Sequence, residues 1–138
     1  MRPTKRHILC VDDNDDTCSM LSVLLGRAGY EVRTASGVAE ALGLAEGGGF
    51  DLYLLDNRFA DGTGLDLCRR IREFDGAAPV LFFSGLAQES DRRLGLDAGA
   101  QEYLIKPNDL GKLVETIAGL IGGDDRGVNS RPAPARAA

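Results

Sequence analysis

Short runs of consecutive apolar residues alternate along the chain with longer stretches in which apolar residues recur every three or four positions. Apolar runs of four to six residues between turn signals suggest strands buried on both faces, as in a parallel sheet. Four stand out: Ile8 to Val11 (ILCV), Leu52 to Leu55 (LYLL), Val80 to Phe83 (VLFF) and Tyr103 to Ile105 (YLI). A weaker run, Glu31 to Ala35 (EVRTA), predicts an edge strand. Between the runs the spacing turns helical. Met20, Leu21, Leu24, Leu25 and Ala28 form a stripe ending at Gly29, and Val38, Ala41, Leu42 and Ala45 form another that runs out in Gly47-Gly48-Gly49. Leu65, Cys68, Ile71 and Arg72 continue a third helix after Gly64, and AQESDRRLGLDAGA reads as a less hydrophobic fourth ending near Gly99. Leu110, Leu113, Val114, Ile117, Leu120 and Ile121 predict an amphipathic fifth helix. Asn108 suits its N-cap, with Asp109 at the positive end of the helix dipole, so the helix is expected to start there.

The order is strand then helix, five times over. Right-handed crossovers between parallel strands place helices on both faces of the sheet, so the expected class is doubly wound α/β. After Ile121 the composition shifts to GGDDRGVNSRPAPARAA, and residues 122–138 read as a flexible tail or a truncated linker.

Composition narrows the function classes. The 138 residues suit one domain, and a hydrophobic fraction of 43% with 27% charged residues is that of a soluble globular protein. No apolar run approaches the roughly 18 to 20 residues that cross a bilayer, and the first residues do not read as a secretory signal. A net charge of −5 with scattered basic residues supplies no stripe for a phosphate backbone, so direct nucleic-acid binding is not expected. Cys10, Cys18 and Cys68 form no Cys-x-x-Cys pair and read as core thiols in a reducing cytoplasm. His7, the single histidine, has no second imidazole for a metal site and is expected at the surface. Asp15 and Asp16 suit the start of a helix, and Arg69-Arg70 and Arg92-Arg93 read as solvated helix faces.

In an open α/β sheet the functional crevice lies beyond the carboxyl ends of the strands. The residues directly after the apolar runs are Asp12-Asp13, Asp56, Ser84 and Lys106-Pro107. Three carboxylates crowded together repel one another unless some are protonated or a cation sits among them, and an all-oxygen ligand set suits Mg²⁺. A carboxylate beside Mg²⁺ and an ammonium could attack phosphorus while both cations neutralise charge on the transferred oxygens, with Ser84 bonding one of them.

The motifs HILCVDDN, YLLDNRFADGTGLDLCRRIR, PVLFFSG and GAQEYLIKP each lie at a strand end. Together the chain resembles a receiver domain of two-component response regulators, including the stand-alone chemotaxis type, over roughly residues 6 to 121. The resemblance implies a flavodoxin-like (βα)5 fold of strand order 2-1-3-4-5, with residues 1–121 as the receiver domain. It implies Asp56 as phosphoacceptor, charged by a phosphohistidine of a histidine kinase or histidine phosphotransfer protein. Asp13 would bind Mg²⁺ directly, Asp12 mainly through water, and Arg58 through its backbone carbonyl, while Lys106 would pair with the phosphoryl group. Ser84 and Tyr103 resemble the family's switch pair, which would alter the surface of the fourth helix, fifth strand and fifth helix. A cis bond before Pro107 is also implied.

Such a domain is expected in the cytoplasm, as a monomer or a weak dimer through that surface, acting on a downstream protein target. It is expected to catalyse only its own phosphorylation and slow dephosphorylation. Helix one and the loop after strand five, Cys18 to Leu25 and Pro107 to Leu110, form the expected kinase-docking region. Phe59-Ala60 departs from the family's usual Met-Pro or Leu-Pro, so the loop after Asp56 is expected to be more mobile, and the Arg58 side chain could shield the acyl phosphate from water. Two other readings stand beside this one. A receiver fold could signal by docking alone, without phosphate. A small haloacid-dehalogenase-like phosphotransferase would want Asp-x-Asp after strand one, where this chain has Asn14 two residues past Asp12.

Overall fold

The computed structural model describes residues 5–121; the expected tail lies outside them. Five parallel strands, β1 (His7–Val11), β2 (Glu31–Ala35), β3 (Leu52–Leu55), β4 (Val80–Ser84) and β5 (Glu102–Ile105), form one sheet in the order β2-β1-β3-β4-β5. EVRTA thus forms an edge strand, and its polar residues face solvent. The helices are α1 (Asp15–Arg27), α2 (Val38–Glu46), α3 (Gly64–Arg72), α4 (Glu89–Asp97) and α5 (Leu113–Ile121).

Alternation along the strands divides the core in two. Ile8, Cys10, Leu52 and Leu54 point to the face covered by α1 and α5, where Leu21, Leu25, Leu113 and Ile117 are buried. Leu9, Val11, Tyr53 and Leu55 point to the other face, against Ala41 and Ala45 of α2 and Leu67, Cys68 and Ile71 of α3. Apolar runs without a polar alternate are therefore what a doubly covered sheet requires.

The sequence-based reading needs correction at several points. The C-terminal helix does not start at Asn108. The Asp109 carboxylate bends back to accept from the Ile105 N–H at 2.9 Å, and a 3-10 turn, Leu110–Lys112, precedes α5. Asp109 stands at the start of that turn, and its side chain makes no capping hydrogen bond to it. His7 is half-buried and opens β1, its backbone N–H donating to the Asp51 carboxylate at 2.7 Å. Cys10 and Cys68 are buried as expected, but Cys18 is only half-buried. The segment after β3 is a two-stranded antiparallel hairpin, Arg58–Phe59 with Gly62–Thr63, which the pattern of apolar residues did not reveal.

Candidate functional site

Strand register brings the polar strand ends together. In the sheet Val11 lies opposite both Ala35 and Leu55, and Ser84 lies opposite Ile105. The next residues are stitched across the ends of the strands: the Asp12 N–H donates to Ala35, that of Asp56 to Val11 at 2.9 Å, and that of Lys106 to Ser84 at 2.9 Å. Asp12 and Asp56 therefore emerge side by side, and Lys106 reaches them from the end of β5, two strands from β3 and three from β1.

Asp12 is buried, at 3% exposure, whereas Asp13 is exposed. Lys106 Nζ donates to Asp12 Oδ2 at 2.7 Å and to Asp56 Oδ2 at 3.3 Å, and it lies 5.9 Å from the centroid of the Phe83 ring. The Asn14 N–H donates to Asp12 Oδ1 at 2.9 Å, and the Asn57 N–H to Asp56 Oδ1 at 2.7 Å. The Lys106–Pro107 peptide bond is cis.

Burial pushes the Asp56 carboxyl above the usual carboxylate range, and the charge of Asp12 pushes the same way. The Asn57 N–H and Lys106 oppose this without cancelling it. Burial alone would lower the Lys106 ammonium, but its hydrogen bond to Asp12 and the charges of Asp56 and Asp12 carry it upward overall. One lysine cannot fully compensate two carboxylates, and the shorter contact goes to Asp12. Burial, the largest of these effects, therefore keeps Asp56 raised although it is paired.

One oxygen from each of Asp12, Asp13 and Asp56 lies within 4.8 Å of the others. Ligands about 2.1 Å from one Mg²⁺ stand at most about 4.2 Å apart, so small side-chain rotations, or one water-bridged ligand, bring these oxygens into a single shell. The donor set is all oxygen, carries more negative than positive charge, and fits a hard divalent cation. Arg58, whose carbonyl the resemblance adds to this set, lies in the first strand of the hairpin with its residue surface exposed.

The hairpin is held at several points. Phe59 is buried in the core. The Asp61 carboxylate accepts from the Val38 and Ala39 N–H groups at 2.8 and 3.0 Å, capping α2 from another part of the chain. These two bonds hold its carboxyl below the usual range. Gly37 permits this approach, since a Cβ there would lie 2.6 Å from Asp61 Oδ1. At the base, Thr63 caps α3 by accepting from the Asp66 N–H at 3.1 Å.

Ser84 is buried at the end of β4, and its hydroxyl accepts from the Leu86 N–H at 3.1 Å. Tyr103 lies inward, at 4% exposure, stacked on Phe82 with ring centroids 5.5 Å apart. Its hydroxyl donates to the Leu86 carbonyl at 2.8 Å. Sequence reasoning missed Asn57 and Asp61. Continuing the two-residue alternation from Tyr53 through Leu55 would have placed Asn57 on the inner face. No local signal marks Asp61, whose partners lie 22 and 23 residues away.

Residues 8–118 match the model of the response regulator receiver domain family. The chain is 37% identical over 115 residues to the response regulator protein PilR of Pseudomonas aeruginosa, covering 83% of this chain and 26% of PilR. It is 37% identical over 102 residues to the alkaline phosphatase synthesis transcriptional regulatory protein PhoP of Bacillus subtilis, covering 74% of this chain and 42% of PhoP. The chain thus spans about a quarter to a half of the length of these curated relatives. Among solved structures, a CheY-like receiver domain protein from Methanospirillum hungatei superposes with a TM-score of 0.82 at 28% identity, covering 86% of this chain and 95% of that one. The response regulator TrrA of Thermotoga maritima, solved in complex with Mg²⁺-BeF, gives 0.76 at 31% identity, covering 83% and 98%.

Proposed function

The chain belongs to the response regulator receiver domain family of two-component signalling, and from that premise we propose that it accepts a phosphoryl group onto Asp56 from a phosphohistidine of a histidine kinase or histidine phosphotransfer protein. One Asp56 oxygen attacks phosphorus, the phosphorus–nitrogen bond breaks, and the imidazole leaves. The observation that carries this reading is the convergence of three carboxylates within 4.8 Å on an ammonium that contacts two of them. Asp12, Asp13 and Asp56, with the Arg58 carbonyl, would hold Mg²⁺, which when bound supplies charge neutralisation for the transferred oxygens. Lys106 is placed to follow the charge from the carboxylate to the phosphoryl group. Ser84, whose oxygen accepts from Leu86, keeps its own hydrogen to donate to a phosphoryl oxygen. The chemistry is positioning and electrostatics, so the domain catalyses only its own charging and slow hydrolysis, and is not otherwise an enzyme.

The change passes through Ser84 and Tyr103 to the surface of α4, β5 and α5, where a downstream protein target or a second copy in a weak dimer binds. The kinase docks on α1 and the loop after β5. Within Cys18 to Leu25, Leu21 and Leu25 are buried, so Met20 and Val23, at 40% and 57% exposure, carry the accessible apolar surface. No helix among the described residues is long and apolar enough to cross a membrane, which agrees with action in the cytoplasm. PhoP is by name a transcriptional regulator. A nucleic-acid-binding output is therefore the proposal for any longer protein that carries this domain, and the expectation of no nucleic-acid contact is restricted to the receiver itself.

Incubation with Mg²⁺ and a small phosphodonor, followed by intact-mass measurement, tests the reading. Wild type should gain one phosphoryl adduct and Asp56→Asn none. An adduct independent of Asp56 overturns the assignment, and no adduct in either protein favours signalling by docking alone.

A further inference from the structure

Asn57 directly follows the acceptor; its backbone N–H bonds the Asp56 carboxylate, but its side chain has no part in the chemistry above. The alternation of β3 carries it to the face where Tyr53 and Leu55 are buried, and it is only 4% exposed. A primary amide at that depth is costly unless it is hydrogen-bonded. Among the described residues its side chain makes one hydrogen bond, Nδ2 donating to the Tyr103 hydroxyl at 3.5 Å. That hydroxyl donates onward to the Leu86 carbonyl at 2.8 Å, and the Leu86 N–H donates to Ser84 Oγ at 3.1 Å. The residue beside the acceptor, the tyrosine, the loop after β4 and the serine thus form one connected series.

The slot around the ring is closely fitted. Phe82 stacks on one side, and an added Cβ at Gly95 of α4 would lie 2.9 Å from Tyr103 Cδ2 and 3.1 Å from Phe82. Phe82 also borders Gly64, where a Cβ would meet it at 2.7 Å and Asn57 Cα at 3.0 Å. Asn57, Phe82 and Tyr103 are therefore packed as a unit behind the acceptor loop.

We propose that Asn57 is a positioning residue that holds the Tyr103 ring inward, so that the strand end bearing Asp56 acts on the tyrosine through the core, alongside the route through Ser84. A bond of 3.5 Å is long, and its weight lies in the absence of another partner. Outward rotation of the ring would strand the amide in an apolar surround. The consequence for signalling rests on the switch reading given above, whereas the inward hold does not.

Protein labelled with 3-fluorotyrosine tests the hold by ¹⁹F NMR in buffer without Mg²⁺ or phosphodonor. The chain has three tyrosines, and Tyr103→Phe assigns the relevant line. Wild type should show a solvent-shielded Tyr103 line. In Asn57→Leu, which keeps bulk without polarity, and in Asn57→Ala, that line should move towards the exposed position, with the ratio of inward to outward ring falling about fivefold, the change in equilibrium constant that one typical hydrogen bond carries. The buried Tyr53 line should stay in place and reports that the variants are folded. A solvent-exposed Tyr103 line in wild type, or an unmoved line in either folded variant, overturns the proposal. The phosphoryl adduct on Asp56 is measured separately by mass, so failure of the acceptor chemistry and failure of the Asn57 hold are told apart.

Discussion

Replacing Lys106 by Met keeps most of the aliphatic stem and removes the ammonium, which leaves Asp12 and Asp56 without the one cation that pairs with them among the described residues. The side chains of Asp12, Asp56 and Lys106 are 4%, 16% and 23% exposed, so water screens the contacts only in part. Removing one partner of a buried pair typically costs about 3–5 kcal/mol, because the charge left behind stays unpaired. Partial access to solvent reduces this, and about 2–3 kcal/mol is the expected loss for metal-free protein near neutral pH. For a domain of this size that is a fall in Tm of about 8–12 °C, read by circular dichroism in the presence of a chelator. The deficit should vary with pH in a defined sense. The folded pKa of Lys106 is raised above its ordinary 10.5, so its contribution is complete below that value and is lost as pH rises through the folded pKa. Asp56 is raised above 3.8, so its protonated form favours the fold, and its charge is a cost at neutral pH that Lys106 offsets. In the variant that cost grows, and the deficit should shrink as pH falls through the carboxylate range. Added Mg²⁺ should return part of the lost stability, because a cation that binds only the folded site stabilises it. A Tm within about 2 °C of wild type under the same conditions, or a deficit that does not change between neutral and acid pH, would refute the reasoning.

Gly64→Ala places a Cβ 2.2 Å from the Asp56 carbonyl oxygen and 2.7 Å from Phe82; backbone cannot yield as a side chain can, so the urea midpoint should fall by the equivalent of about 3 kcal/mol. Asp61→Ala should speed hydrogen exchange at the Val38 and Ala39 amides, measured by NMR, while amides within β3 stay protected. Since the Asp61 pKa is lowered from 3.8, its contribution is present above that value and lost as pH falls through the folded pKa, so wild type and variant should converge in acid. Arg58→Ala should lose its phosphoryl group faster than wild type in a time course of intact mass; equal rates would remove the shielding role of that side chain.

Much of the site was legible because it lies at strand ends. An apolar run followed at once by Asp12, Asp56, Ser84 or Lys106 marks both a buried strand and the place where its chain leaves the sheet, and parallel packing aligns those exits on one edge. Where local signals compete, reading along the chain fails. Asn108 and Asp109 look like a helix start by every local preference, yet Asp109 is drawn back to Ile105 by the geometry of the strand end. The hairpin of Arg58–Phe59 with Gly62–Thr63 is too short to leave any period. Arg72, which reads as the end of an apolar stripe, instead donates to the carbonyls of Gly99, Asp75 and Ala78 and to Gln101, tying α3 to the approaches of β4 and β5.

Hydrophobic period and chain polarity alone thus determined the five strands of the main sheet and the five helices that cover it, their order along the chain, the class of fold and the residues crowded at its polar edge. Those properties depend on neighbours a few positions apart, which the order of residues states directly. Folding in three dimensions decided which carboxylate the lysine prefers, how Asp61 caps a helix from 23 residues away, and that Asn57 lies against Tyr103 across 46 residues of chain. Such contacts are set by register, side-chain direction and the fit of packed faces. These arise only when distant segments meet, because hydrogen bonds and ion pairs act over a few ångströms of space whatever the separation along the chain.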